Sequence, residues 1–330
     1  MDGTCRDATL ATMRPAFSVI FFSVLSGAGY GLLACAAIAA MVGPPSTEAQ
    51  SFATIVVMAM ALVLVGLGSS VVHLGRPARA WRAFSQWRSS WLSREGVSAT
   101  LSFLPALFLA ALLWMNQWGL VTRVTAGASL LLAAATIFCT ARIYTSLPPI
   151  PAWRGPLVLP GYFLFAGTTG LALWLALSGA LLGATSVFAA TSLAVLALAT
   201  AMVKWRYWRD IDAIEMPSTA RMTGLDRIGE TRSFEAPHTE ANYLTREMGF
   251  QFARRHARVL RATVVAALIA VAAIAIVTLT LPSIRDAAHP PTLAAALGVF
   301  ASLLALLAAI VERWLFFAQA RHMVMAYYER

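Results

Sequence analysis

Apolar residues in this chain come in long blocks separated by shorter polar segments. Eight blocks, at about 16–42, 51–72, 97–117, 122–144, 157–178, 181–203, 261–281 and 292–312, have the length needed to span a bilayer. A hydrocarbon core of about 30 Å takes roughly 20 helical residues. Each block is predicted to be helical, because a backbone group left unpaired in lipid costs several kcal/mol. Pro44-Pro45, Pro148-Pro149 with Pro151, Pro282 and Pro290-Pro291 punctuate the turns, and the fifth and sixth blocks part near Ser178-Gly179. Residues 1–15 are polar, and the apolar run after them is too long for the core of a cleavable signal, so it reads as a first transmembrane helix.

Composition points the same way. Hydrophobic residues make up 59% of the 330 residues, charged residues 12%, and the mean hydropathy is +0.71. Globular domains sit near half apolar and a quarter charged. The expectation is an all-α polytopic membrane protein, with one integral membrane domain over 1–330 and eight transmembrane helices in two packed four-helix bundles. In each half a long polar connection follows the second span, at about 73–95 and 204–260. The first span of each half is rich in glycine, Ser26-Gly27-Ala28-Gly29-Tyr30-Gly31 against Ala166-Gly167-Thr168-Thr169-Gly170, and such glycines let helices approach closely.

Charge supplies a topology. Of the 25 basic residues, 23 fall on the face that carries both termini and the second, fourth and sixth connections, leaving Arg123 and Arg285 on the other. By the positive-inside rule that face is cytoplasmic, together with both termini and the loop at residue 73. The net charge of +10 lies between apolar blocks, which suits topology and acidic partner surfaces and speaks against nucleic-acid binding. The long connection from Lys204 to Arg261 has ten arginines and eight acids, with Phe234, Tyr243 and Phe250 interspersed. Its end, from Tyr243 to Arg261, has helical spacing and reads both as a membrane-surface helix and as a docking surface for a peripheral protein.

Three residues carry the candidate chemistry. His73 ends the second span, and a neutral imidazole there can hydrogen-bond a quinone carbonyl or accept a quinol proton. Arg76 can hold the head group, and Glu95, at the start of the third span, can take a second proton. The plainer alternative is that His73 and Arg76 cap a helix end and anchor it among lipid head groups. The tryptophans and tyrosine Trp81, Trp87, Trp91, Trp205, Tyr207, Trp208 and Trp314 read as an interfacial belt, and Glu312-Arg313 as an intrachain pair or a snorkelling helix end. Cys5, Cys35 and Cys139 show no iron–sulfur or haem-attachment spacing, and no histidine pair suits b-type haem. A secondary transporter would want charges near mid-span, and a purely structural anchor would bind quinone elsewhere.

The run Arg14-Pro15-Ala16-Phe17-Ser18 with the glycine-rich segment after it, His73-Leu74-Gly75-Arg76-Pro77 with Arg79-Ala80-Trp81, and Ser90-Trp91-Leu92-Ser93-Arg94-Glu95 form a recognisable set. Ile143-Tyr144, Ser146-Leu147, Pro149-Ile150, Trp153, Arg206-Tyr207-Trp208 and Glu312-Arg313-Trp314-Leu315-Phe316-Phe317 extend it. Together they resemble the dimethyl sulfoxide reductase membrane-anchor subunit family, a haem-free relative of polysulfide reductase anchors. The resemblance implies eight spans and electron exchange between menaquinol or ubiquinol and an iron–sulfur subunit in anaerobic respiration. That partner would be a four-cluster ferredoxin-like subunit, joined to a molybdopterin catalytic subunit at a bacterial inner membrane. It places a quinol-site histidine and acid at His73 and Glu95, with Arg76 or Arg79 assisting.

Overall fold

The computed structural model describes residues 17–43, 49–72, 77–183, 186–229, 251–280 and 292–324. Eight helices among them are long and apolar enough to cross a membrane. They are α1 (Phe17–Val42), α2 (Ala49–Val72), α3 (Trp91–Trp114), α4 (Leu120–Thr145), α5 (Val158–Leu181), α6 (Val187–Asp212), α7 (Gln251–Thr280) and α8 (Thr292–Ala318). A 3-10 segment, Pro77–Gln86, precedes α3, and another, Pro151–Arg154, precedes α5.

The expected helices differ from the observed ones mainly at their polar ends. α3 starts at Trp91 rather than near 97, because Ser90 caps it and its side chain accepts from the Ser93 amide at 3.5 Å. α6 runs on through Lys204 to Asp212, since that segment finds partners on α8 and α7. Ser178 and Gly179 do not form the turn between α5 and α6 but lie inside α5, where a Cβ on Gly179 would press on the Ala295 backbone of α8. Within the long sixth connection, Tyr243 to Phe250 lie outside the described residues.

Each half closes on itself. α1 packs on α2, α2 on α3, α3 on α4 and α4 back on α1; α5 to α8 repeat the same ring. The rings meet chiefly through their first helices, α1 and α5. The expected pair of four-helix bundles is thus the observed architecture, and the two glycine-rich segments are its joint. Gly31 and Gly170 face one another so closely that a Cβ on either would overlap the opposing backbone. Lipid tails are as apolar as the helices, so such contacts hold the bundles together by packing rather than by water exclusion.

α1 begins on the face where α2, α4, α6 and α8 end, called here the near face. Tyr144, Trp153, Tyr162, Phe316 and Phe317 form one aromatic cluster there, with the Trp153 indole N–H donating to the Phe316 carbonyl at 3.0 Å. The Arg261 guanidinium clasps both Asp212 oxygens, at 2.5 and 2.8 Å, and so ties the end of α6 to α7. Because Asp212 is largely exposed, Asp212→Asn is expected to cost no more than about 1 kcal/mol, read as a small fall in the melting temperature of the purified protein.

Candidate functional site

The acid singled out at the start of the third span is buried inside the first bundle. Once α3 starts at Trp91, Glu95 lies a full turn within the helix and is 4% exposed. Its carboxylate meets the hydroxyl of Thr140 on α4 in a short hydrogen bond. That hydroxyl is also 2.9 Å from the Thr136 carbonyl one turn back. A threonine has one hydrogen to donate, so the two contacts define two arrangements. With Glu95 ionised, Thr140 donates to the carboxylate. With Glu95 protonated, the acid donates to Thr140, which donates to Thr136. The hydroxyl can therefore serve either state without moving a heavy atom, and no cation among the described residues is paired with Glu95.

Around this acid the near face is built from arginine and aromatic groups. The Arg94 side chain donates to the carbonyls of Trp87 and Arg88, at 3.0 and 2.6 Å, bracing the chain that enters α3. Arg94 and Arg142 both lie over the Trp91 ring. The 3-10 segment bearing Arg79 rests on α3 through the Phe84 ring, which faces Gly96. Arg79 itself is exposed, and no hydrogen bond or ion pair joins it to Glu95. His73 and Arg76 lie outside the described residues.

A second charged cluster sits in the other bundle. Lys204 of α6 reaches Glu312 of α8 at 2.5 Å, and Arg313 contacts the other carboxylate oxygen at 2.6 Å. Lys204 and Arg313 are 4% exposed and Glu312 is fully buried, so the pair is intrachain but does not snorkel. Aromatic faces surround it: the Lys204 ammonium is 3.7 Å from the Tyr207 ring centre and the Arg313 guanidinium 4.0 Å from that of Tyr162. Tyr207 and Trp208 are accordingly buried, whereas Trp81, Trp87 and Trp205 are more than half exposed, as a belt requires.

The sequence profile of the DMSO reductase anchor subunit family (DmsC) matches residues 11–319, nearly the whole chain. The chain belongs to this family. It is also 29% identical over 332 aligned residues to a sulfite dehydrogenase subunit of Allochromatium vinosum, covering 96% of this chain and 99% of that one. As a DmsC-family protein it is an anchor subunit of a molybdoenzyme, and its eight apolar helices are those of a multi-pass membrane protein.

Two features of this DmsC-family chain escape a linear reading. Thr140 is one of several hydroxyls in α4, and only its spacing from Thr136 hints at a common face. Lys204 carries a louder signal, as the sole lysine of the chain, set among apolar and aromatic residues. An ionisable residue within a span is a candidate for function or for a buried pair, and its partner, Glu312, lies more than a hundred residues away.

Proposed function

We propose that this chain is the quinone-interacting anchor of its molybdoenzyme complex. It exchanges electrons between menaquinol or ubiquinol in the membrane and an iron–sulfur subunit that serves a molybdopterin catalytic subunit. The observation that carries this reading is the buried carboxyl of Glu95, paired with no cation among the described residues, with its two-way hydroxyl partner one helix turn inside the near face. A quinol releases two protons with its two electrons. His73 takes one at the bilayer edge and Glu95 takes the other, with Arg76 or Arg79 assisting.

Electrons then pass straight to a cluster of the partner, which puts the partner on the near face. Support for docking there comes from a depression of about 360 Å³ lined by Arg258, Arg261 and Arg321, beside the long sixth connection. The same arginine excess supports a bacterial inner membrane with this face cytoplasmic.

The test uses the purified complex. His73→Ala and Glu95→Gln are each expected to lower quinone-linked turnover by at least about 100-fold while dye-linked turnover of the catalytic subunit persists. Undiminished quinone-linked turnover in both variants would sink the assignment.

The name of the bacterial relative favours one direction of flow. A sulfite dehydrogenase delivers electrons from a small sulfur oxyanion, so the quinone would be reduced rather than the quinol oxidised. Sulfite-dependent quinone reduction by the complex supports that direction, whereas quinol-dependent reduction of an S-oxide supports the opposite one.

A further inference from the structure

On the side where α4 and α6 diverge, the two bundles leave a lateral cleft of about 930 Å³. Residues from α1, α4, α5 and α6 line it, among them Ala34, Cys35, Ala134, Phe163, Gly167 and Leu196. Its walls are apolar and mostly small. Its mouth, at Ile38 and Phe188, is exposed to the lipid region. A volume this large sits at the upper end of the roughly 300–1,000 Å³ seen for ligand pockets.

The inner end of the cleft changes character. Ile137 and Ala166 line it and also line a second cavity of about 30 Å³ between the bundles. That cavity has room for one or two water molecules. Tyr30, Thr140, Tyr162 and Arg313 form its polar wall. The Tyr162 hydroxyl and the Arg313 Nη1 are buried, and beyond their contact with one another neither has a hydrogen-bond partner among the described residues. Leaving such donors unsatisfied costs about 1–3 kcal/mol each, so this wall calls for an acceptor. Thr140 is also the residue bonded to Glu95, which places the candidate acid one side chain from the cavity. Tyr30 donates across to Ser102 of α3 at 3.2 Å, since the Ser102 hydrogen is committed to the Ala99 carbonyl at 2.6 Å.

We propose that this cleft is the access and tail-binding groove of an isoprenoid quinone. Its head group stops at the Ile137–Ala166 neck and turns a carbonyl toward Tyr162 and Arg313. This rests on the quinone reading above. The order of chemistry along the groove selects the occupant. A ligand must enter with a neutral acceptor leading and a long apolar tail behind. A phospholipid has the reverse arrangement. Its charged head belongs at the mouth, where Arg123 lies beside Gly43, because carrying a phosphate inward would cost far more than carrying a carbonyl.

Two variants fill the groove from different walls, so that misfolding of one does not end the test. Ala134→Trp projects from α4, and Gly167→Phe from α5 against Leu196. In the purified complex each is expected to raise the KM for a long-tailed quinol or quinone at least tenfold. Dye-linked turnover should stay unchanged. A quinone bearing an azido ring and a decyl tail should label peptides of α1, α4 or α5 in the parent complex and lose that labelling in both variants.

An unchanged KM in both variants, or labelling confined to other helices, overturns the groove. So does a phospholipid retained by the parent complex in native mass spectrometry together with unaltered quinone kinetics in the filled variants. If groove variants keep quinone-linked turnover while His73→Ala and Glu95→Gln lose it, only the groove inference falls. If all four keep it, the quinone reading itself falls.

Discussion

Glu312→Gln is expected to be the most damaging single substitution in the second bundle, costing about 3–5 kcal/mol and most of the folded, membrane-inserted protein. Glu312 is fully buried and holds two cations, Lys204 at 2.5 Å and Arg313 at 2.6 Å. As it stands the cluster carries one net positive charge. Removing the carboxylate leaves two adjacent buried cations with nothing to offset them. Aromatic rings lie against both, but a desolvated cation–π contact is worth about 2 kcal/mol, too little to replace the ion pair.

Lys204→Met provides the contrast. It leaves Glu312 paired with Arg313 and brings the cluster to neutrality, so it should be much milder. Thermal unfolding of the two detergent-purified variants beside the parent measures the difference. Equal stability of Glu312→Gln and Lys204→Met would refute the charge argument.

Gly170→Leu should be comparably severe through packing alone. A Cβ at Gly170 would overlap the Gly31 backbone, and one at Gly31 would overlap the Ala166 carbonyl. Backbone on both sides of the contact cannot rotate away as a side chain does, so α1 and α5 must separate. Overpacking typically costs about 1–3 kcal/mol, and a rigid contact at the main joint between bundles belongs at or beyond the upper end. Loss of full-length protein from the membrane fraction, or of resistance to proteolysis between the halves, reports it. Gly127→Ala is the control. Nothing lies within 4 Å of a Cβ there, so that variant should be neutral or slightly stabilising, by up to about 1 kcal/mol. Parent-like stability of Gly170→Leu would show that the helices can yield at that joint.

These two predictions mark where the sequence was informative and where it was not. The glycines of the first and fifth spans were visible as a matched pair of segments, and they meet. Glu95 was visible as an acid near a helix start, but its depth was not. The depth follows from the Ser90 cap, which extends α3 over polar residues that a hydropathy reading leaves outside the membrane. For the same reason hydropathy alone ends α6 near 203 and leaves the buried Lys204 outside it. Polar residues at a span's end look like loop until their partners are known.

Segment by segment, the sequence alone determined eight helices, their order and a four-plus-four division. A backbone in hydrocarbon has one local way to satisfy its hydrogen bonds, and block length and composition suffice to show where it does so. It could not determine which face of each helix turns inward, because core and lipid are equally apolar and no amphipathic stripe marks the difference. Only the tertiary structure paired Glu95 with Thr140, Lys204 with Glu312 and Gly31 with Gly170. These contacts join residues far apart in the chain. They are set by close packing and by the cost of leaving a buried charge or hydroxyl unmatched, which no single segment records.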